Sequence, residues 1–134
     1  MKLTIDCHEL EEFIRRHSGT YVPLRVANNQ LIASVRVIGR TIDVALSVKE
    51  VKNNIAIFDI SFNNHTSVLL SLLNPIFGNR IASALPQGVA LDLSNSVLTI
   101  NLCEIQGVRP LFNKLIVNGL AITPYGIDIT AQLN

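Results

Sequence analysis

From Leu31 to Val51 the chain alternates apolar and polar residues with little interruption, and that pattern admits few folds. A period of two places successive side chains on opposite faces of an extended chain, so this stretch belongs in a sheet with one dry and one wet face. Val35 and Val37 share one parity, whereas Ile42, Val44, Leu46 and Val48 take the other. The phase slips at Ile38-Gly39-Arg40-Thr41. A slip of one residue at a glycine reads either as a β-bulge inside one long, curved strand or as the tight turn of a hairpin. The bulge is the preferred reading. Ser34, Arg36, Thr41, Asp43, Ser47 and Lys49 then form the wet face.

The flanking segments extend the sheet. Tyr21–Val26 alternates, with Pro23 placing it at an edge or a strand start. Asn28-Asn29 and Lys52-Asn53-Asn54 are turn sequences, and Ile55–Phe62 returns as a strand. Val89–Leu93 and Val97–Leu102 pair around Asn95-Ser96, and Glu104–Pro110 is a connection. Leu111–Val117 fits a strand or a short helix. Leu120–Thr123 and Ile127–Leu133 form a hairpin around Pro124-Tyr125-Gly126.

Two helices are expected. The first covers about Cys7–His17, where Asp6 and Glu9 have capping-box spacing and Gly19 is a natural stop. Its acidic residues lie early and Arg15, Arg16 and His17 late, opposing the helix dipole. Cys7, Leu10, Phe13 and Ile14 make a narrow apolar stripe. The second covers about Ser67–Leu85, after a turn at Asn64-His65-Thr66. Its polar positions, Ser67, Ser71, Asn74 and Gly78, share one thin stripe, and Pro75 should kink it. A helix apolar nearly all round needs partners on several sides.

Composition sharpens that demand. Of 134 residues, 46 are Ile, Leu or Val and only 16% are charged, against roughly a quarter in ordinary soluble domains. Such a chain is not disordered. A net charge of +1 offers little to neutralise phosphates, so nucleic acid is not an expected partner. Two cysteines, Cys7 and Cys103, are expected to be free thiols rather than a disulfide framework. The acidic opening after Met1 is unlike a secretory signal, and no apolar run is long enough to span a bilayer. The expected location is therefore the cytoplasm.

Catalytic patterns are sparse. His8, His17 and His65 lack metal-ligand spacing, and there is no phosphate-binding glycine loop, nucleophile elbow or HExxH. Asp43, Asp59, Asp92 and Asp128 occupy polar positions of expected strands and read as solvated sheet-face carboxylates. With 5% aromatic residues and no Trp, stacking platforms for bases or sugars are poorly supplied. The chain is expected not to be an enzyme, and to need no cofactor or metal.

The surplus apolar surface can go into an ordinary core, a self-association interface or a site for an apolar ligand. Long alternating strands, a coiling slip at Gly39 and an apolar helix laid on the concave face resemble the tubular lipid-binding superfamily, which includes bactericidal/permeability-increasing-like proteins and synaptotagmin-like lipid-transfer domains. The similar stretches are Val35–Ile60 and Leu111–Leu133. The latter reads Leu115-Ile116-Val117-Asn118-Gly119-Leu120-Ala121-Ile122, then Gly126-Ile127-Asp128-Ile129, like the terminal hairpins of bacterial members. The resemblance implies an apolar ligand held between helix and sheet.

The resulting expectation is a single α+β domain over residues 1–134. It has a twisted, mainly antiparallel sheet of about six strands, a short N-terminal helix, and a longer apolar helix on one face. Its expected function is non-enzymatic binding of a lipid or similar apolar molecule, with peripheral membrane contact a further option. Leu69, Leu70, Leu72, Leu73, Ile76 and Phe77 are the candidate ligand-binding residues, with plain core packing as their alternative role. The rival function is structural: a homo-oligomer, or a docking protein using the same apolar surface.

Overall fold

The computed structural model describes residues 1–37, 40–62, 87–92, 95–104 and 114–133. Within them the protein is mainly antiparallel β, with one short helix and two sheets. The chain opens with strand β1 (Lys2–Asp6) and helix α1 (Cys7–Ser18). Strands β2 (Leu24–Ala27), β3 (Gln30–Val37), β4 (Arg40–Lys52) and β5 (Ile55–Phe62) follow. Strands β6 (Val89–Asp92) and β7 (Val97–Asn101) precede a 3-10 turn at Leu102–Glu104, and β8 (Leu115–Thr123) and β9 (Gly126–Leu133) close the order. The larger sheet runs β2-β3-β4-β5-β7-β6, and the smaller runs β1-β9-β8.

Among the described residues, a six-stranded sheet stands where one of about six strands was expected, beside a second, three-stranded sheet that was not, and the second helix expected at 67–85 falls outside the described residues. β1 was not foreseen. Its Leu3 and Ile5 alternate with polar neighbours, but their pairing partners, Ile129 and Ile127, lie at the other end of the chain. The preferred reading of Gly39 is also corrected. β3 and β4 run antiparallel with Val37 opposite Arg40, so they are two arms of a hairpin rather than one bulged strand. In that register Val35 faces Ile42 and Ala33 faces Val44. Partners across such a turn have opposite parity and share a face, so the reversal in the sequence was the signature of a hairpin.

Genuine bulges occur elsewhere, at two places where apolar residues stand three apart. In Val48-Lys49-Glu50-Val51 the register with β5 jumps between Val48 and Glu50, which puts Val51 opposite Ala56. In Val117-Asn118-Gly119-Leu120 it jumps between Val117 and Gly119, which puts Leu120 opposite Ile129. One extra residue restores the apolar phase that strict alternation would lose, and it increases local twist. Of the segment Leu111–Val117, read as strand or short helix, residues 115–117 are strand in β8 and 111–113 lie outside the described residues.

Turn chemistry follows the asparagines. Asn28-Asn29 and Asn53-Asn54 all have positive φ, between 51° and 67°, as a two-residue type I′ hairpin turn requires. At the β8–β9 turn, the Thr123 hydroxyl oxygen accepts from the Tyr125 and Gly126 N–H groups. Gly126 is needed for another reason: a Cβ there would collide with the Ile5 carbonyl oxygen of β1.

Helix α1 forms as its caps dictate. The Asp6 carboxylate accepts from Glu9 N–H at 2.8 Å, and the Glu9 carboxylate accepts from Asp6 N–H at 3.4 Å. Gly19, at φ 73°, donates to the Arg15 carbonyl and ends the helix. The helix packs against β2, β1 and β9. Glu11 ties it to the larger sheet, accepting from Leu24 N–H at 3.1 Å and from the Tyr21 hydroxyl at 3.3 Å.

Candidate functional site

The larger sheet separates its faces as the alternation requires. On β4 and β5, Val44 faces Phe62, Leu46 faces Ile60 and Val48 faces Phe58. The register carries the same face outward to Leu31, Ala33 and Val35 of β3, and to Leu24 and Val26 of β2. On the other side it reaches Leu98 and Ile100 of β7, then Leu91 and Val89 of β6. This face is apolar from edge to edge. Its centre is buried at Leu31, Ile42, Ala56, Phe58 and Ile60. Val44, Leu46, Val48, Leu98 and Ile100 are only half-buried.

The opposite face carries the charges. Asp43 accepts from the Ser34 hydroxyl at 2.8 Å and pairs with Arg25 at 3.1 Å. These contacts, the hydroxyl first, hold its carboxyl below the usual range. Lys49 lies 4.0 Å from Asp59, and the Gln30 amide donates to the Ser47 hydroxyl. On the smaller sheet, Thr4 donates to Asp128 and Lys2 pairs with it at 3.2 Å, which lowers that carboxyl as well. Both shifts favour the ionised form, the wrong direction for a general acid at neutral pH.

The smaller sheet repeats the division. Ile127, Ile129 and Ala131 of β9 share a face with Leu3 and Ile5 of β1 and with Val117, Leu120 and Ile122 of β8. Val117 is 1% exposed. It is buried where β8 meets the larger sheet, since β8 packs against β4.

That seam is closed by one side chain. Asn54, at the β4–β5 turn, is the buried polar residue among those described, at 6% exposure. Its N–H donates to the Val117 carbonyl at 3.2 Å, and its side-chain oxygen accepts from Val117 N–H. It thus pairs with Val117 as a neighbouring strand would. Its side-chain amide donates to the Leu115 carbonyl at 3.1 Å and to the Cys103 sulfur at 3.3 Å. Its own carbonyl accepts from Leu102 N–H at 2.9 Å. One residue therefore joins the β4–β5 turn, the 3-10 turn and β8. Sequence reasoning marked Asn54 as a turn and missed this role; its partners lie tens of residues away, and no local spacing reports them.

The candidate ligand residues Leu69, Leu70, Leu72, Leu73, Ile76 and Phe77 all lie outside the described residues. The apolar face of the larger sheet, expected as the second wall of the site, is present. Cys7 and Cys103 are both of intermediate exposure. Burial, then Glu11 and Asp6, pushes the Cys7 thiol up, away from the reactive thiolate. Among the described residues, no cluster of three or more His, Cys, Asp or Glu side chains could hold a metal ion, and no helix is long and apolar enough to cross a membrane.

No protein-family model matches the chain, and neither a curated protein nor a solved structure matches it.

Proposed function

We propose that this protein is a non-enzymatic, cytoplasmic module that binds a lipid or similar apolar ligand against the apolar face of its six-stranded sheet. One observation carries the reading: that face is unbroken from β2 to β6, yet residues near its middle, such as Val44, Leu46 and Val48, stay half-buried. The face is mostly aliphatic, which suits a flexible acyl chain: such a wall gains dispersion contact and area burial without imposing a stacking geometry. The apolar residues Leu69, Leu70, Leu72, Leu73, Ile76 and Phe77 would supply the other wall. The resemblance to tubular lipid-binding proteins points to the same class of ligand.

Native mass spectrometry of the purified protein tests the reading, together with titration of a fluorescent fatty-acid probe. Co-purified lipid, or saturable probe binding that Leu73→Trp weakens with little loss of stability, is the expected result. Absence of both would overturn it.

A structural role is favoured by a different observation. Met1, Leu3 and Leu133 are 67%, 50% and 76% exposed, and all belong to the smaller sheet or pair with it. If these residues mediate self-association, light scattering will report an oligomer that Leu3→Lys dissociates.

A further inference from the structure

We infer that Asn118 is a site of spontaneous deamidation, the one described asparagine whose surroundings invite conversion of its amide to a carboxylate. Three features meet there. Asn118-Gly119 is the single Asn-Gly dipeptide of the sequence, and glycine offers no side chain to obstruct attack by its own backbone nitrogen. Asn118 is the extra residue of the β8 bulge, passed over by the register that pairs Val117 with Ala131 and Gly119 with Thr130. Its side chain is exposed, and no hydrogen bond to it is formed among the described residues.

The other described asparagines each lack one of these features. Asn54 is buried and held by its side-chain bonds. Asn95 and Asn101 bond to Asp92 and to Cys103 N–H. Asn28, Asn29 and Asn53 are exposed but are followed by Asn29, Gln30 and Asn54, whose side chains hinder ring closure. As the bulge residue, Asn118 has no ladder pairing of its own to break before its side chain turns toward the nitrogen of Gly119, which the register pairs with Thr130.

The reaction needs only water. The deprotonated Gly119 nitrogen attacks Asn118 Cγ and forms a C–N bond. The Cγ–Nδ2 bond breaks, and ammonia leaves after taking a proton from water. Water then opens the cyclic imide at either carbonyl, giving aspartate or isoaspartate. The product gains one negative charge. In the isoaspartate form it also gains one main-chain carbon, next to the residue whose N–H and C=O are held by Asn54.

The purified full-length protein, incubated at mildly alkaline pH and sampled over weeks, tests this. Trypsin cutting after Lys114 releases residues 115–134, whose asparagines are Asn118 and the terminal Asn134, and fragmentation separates the two. The expected result is an acidic shift on isoelectric focusing, located at Asn118 by mass spectrometry, with isoaspartate detected there by enzymatic methyl labelling. Asn118→Gln should abolish the shift. The inference is overturned if Asn118 keeps its amide in the folded protein while the urea-unfolded chain loses it, if another asparagine converts faster, or if Asn118 converts in neither state.

Discussion

Two turns of this protein are built from the same dipeptide and do different work. Asn28-Asn29 joins β2 to β3, and Asn53-Asn54 joins β4 to β5. All four residues take the left-handed backbone conformation. Yet Asn28 and Asn29 are exposed, whereas Asn54 is buried and bonded to Val117, Leu115, Leu102 and Cys103. Asparagine at the first turn satisfies a local backbone requirement. At the second it also closes the seam between two sheets, where an unpaired polar group would cost the full desolvation penalty. The same local chemistry thus acquires a different energetic weight from what lies beside it.

The sharpest way to break this comparison is to truncate both turns. Asn54→Ala should cost about 4 kcal/mol, by stranding Val117 N–H and the Leu115 carbonyl and by forcing a strained φ. Asn29→Ala should cost about 1 kcal/mol, through φ alone. Glycine, which relieves φ, should restore Asn29 to within about 0.5 kcal/mol of the parent and recover only about 1 kcal/mol at position 54. Urea denaturation of the four variants gives the result. Equal costs at the two turns would reduce Asn54 to a turn residue.

Gly126 is the converse case, a turn-flanking position where the tertiary neighbour demands that nothing be present. Its missing Cβ leaves room for the Ile5 carbonyl and for Asp6. Gly126→Ala should cost about 3 kcal/mol and should raise amide exchange in β1 before β3 and β4. Uniform exchange across both sheets would show that β1 is not seated independently on β9.

Asp6 supplies a local polar contact of the same kind as Asn54, but exposed. Asp6→Ala should cost about 1 kcal/mol, well below Asn54→Ala, and should leave any probe binding unchanged. A loss as large as that at Asn54 would show that burial is not what separates them.

The smallest effect belongs to the wet face. The Asp43 carboxyl is held below its ordinary value by Ser34 and Arg25. Its contribution is therefore present above the ordinary carboxylate range and lost as pH falls through the lowered folded value. The side chain is 41% exposed, so solvent screening keeps that contribution small. Asp43→Asn should slightly flatten the acid limb of stability against pH and leave neutral stability nearly unchanged. A steeper acid limb in the variant would reverse the sign and refute the assignment.

Much of the architecture was legible because its causes are local. The alternation in β3, β4 and β5, the capping box of α1, the Gly19 stop and the asparagine turns each depend on residues within a few positions. The parity reversal at Gly39 was visible but misread, since a bulge and a two-residue turn shift the phase alike; only the pairing of Val35 with Ile42 separates them. The bulges at Lys49 and Asn118 had a signal too, apolar residues three apart inside a strand, but it resembles a helical period. The candidate ligand residues of segment 67–85 rested on periodicity alone and lie outside the described residues.

The sequence by itself determined that the chain forms amphipathic antiparallel strands, where most of them turn, and that a large aliphatic surface must be covered, because backbone preference and side-chain parity are properties of neighbouring residues. Tertiary structure decided the rest. It divided the strands into two sheets, brought β1 to β9 from opposite ends of the chain, and turned Asn54 from a hinge into the link between β5 and β8. Those outcomes depend on which unpaired backbone groups and apolar faces meet in space, and chain closure sets that meeting rather than any local run of residues.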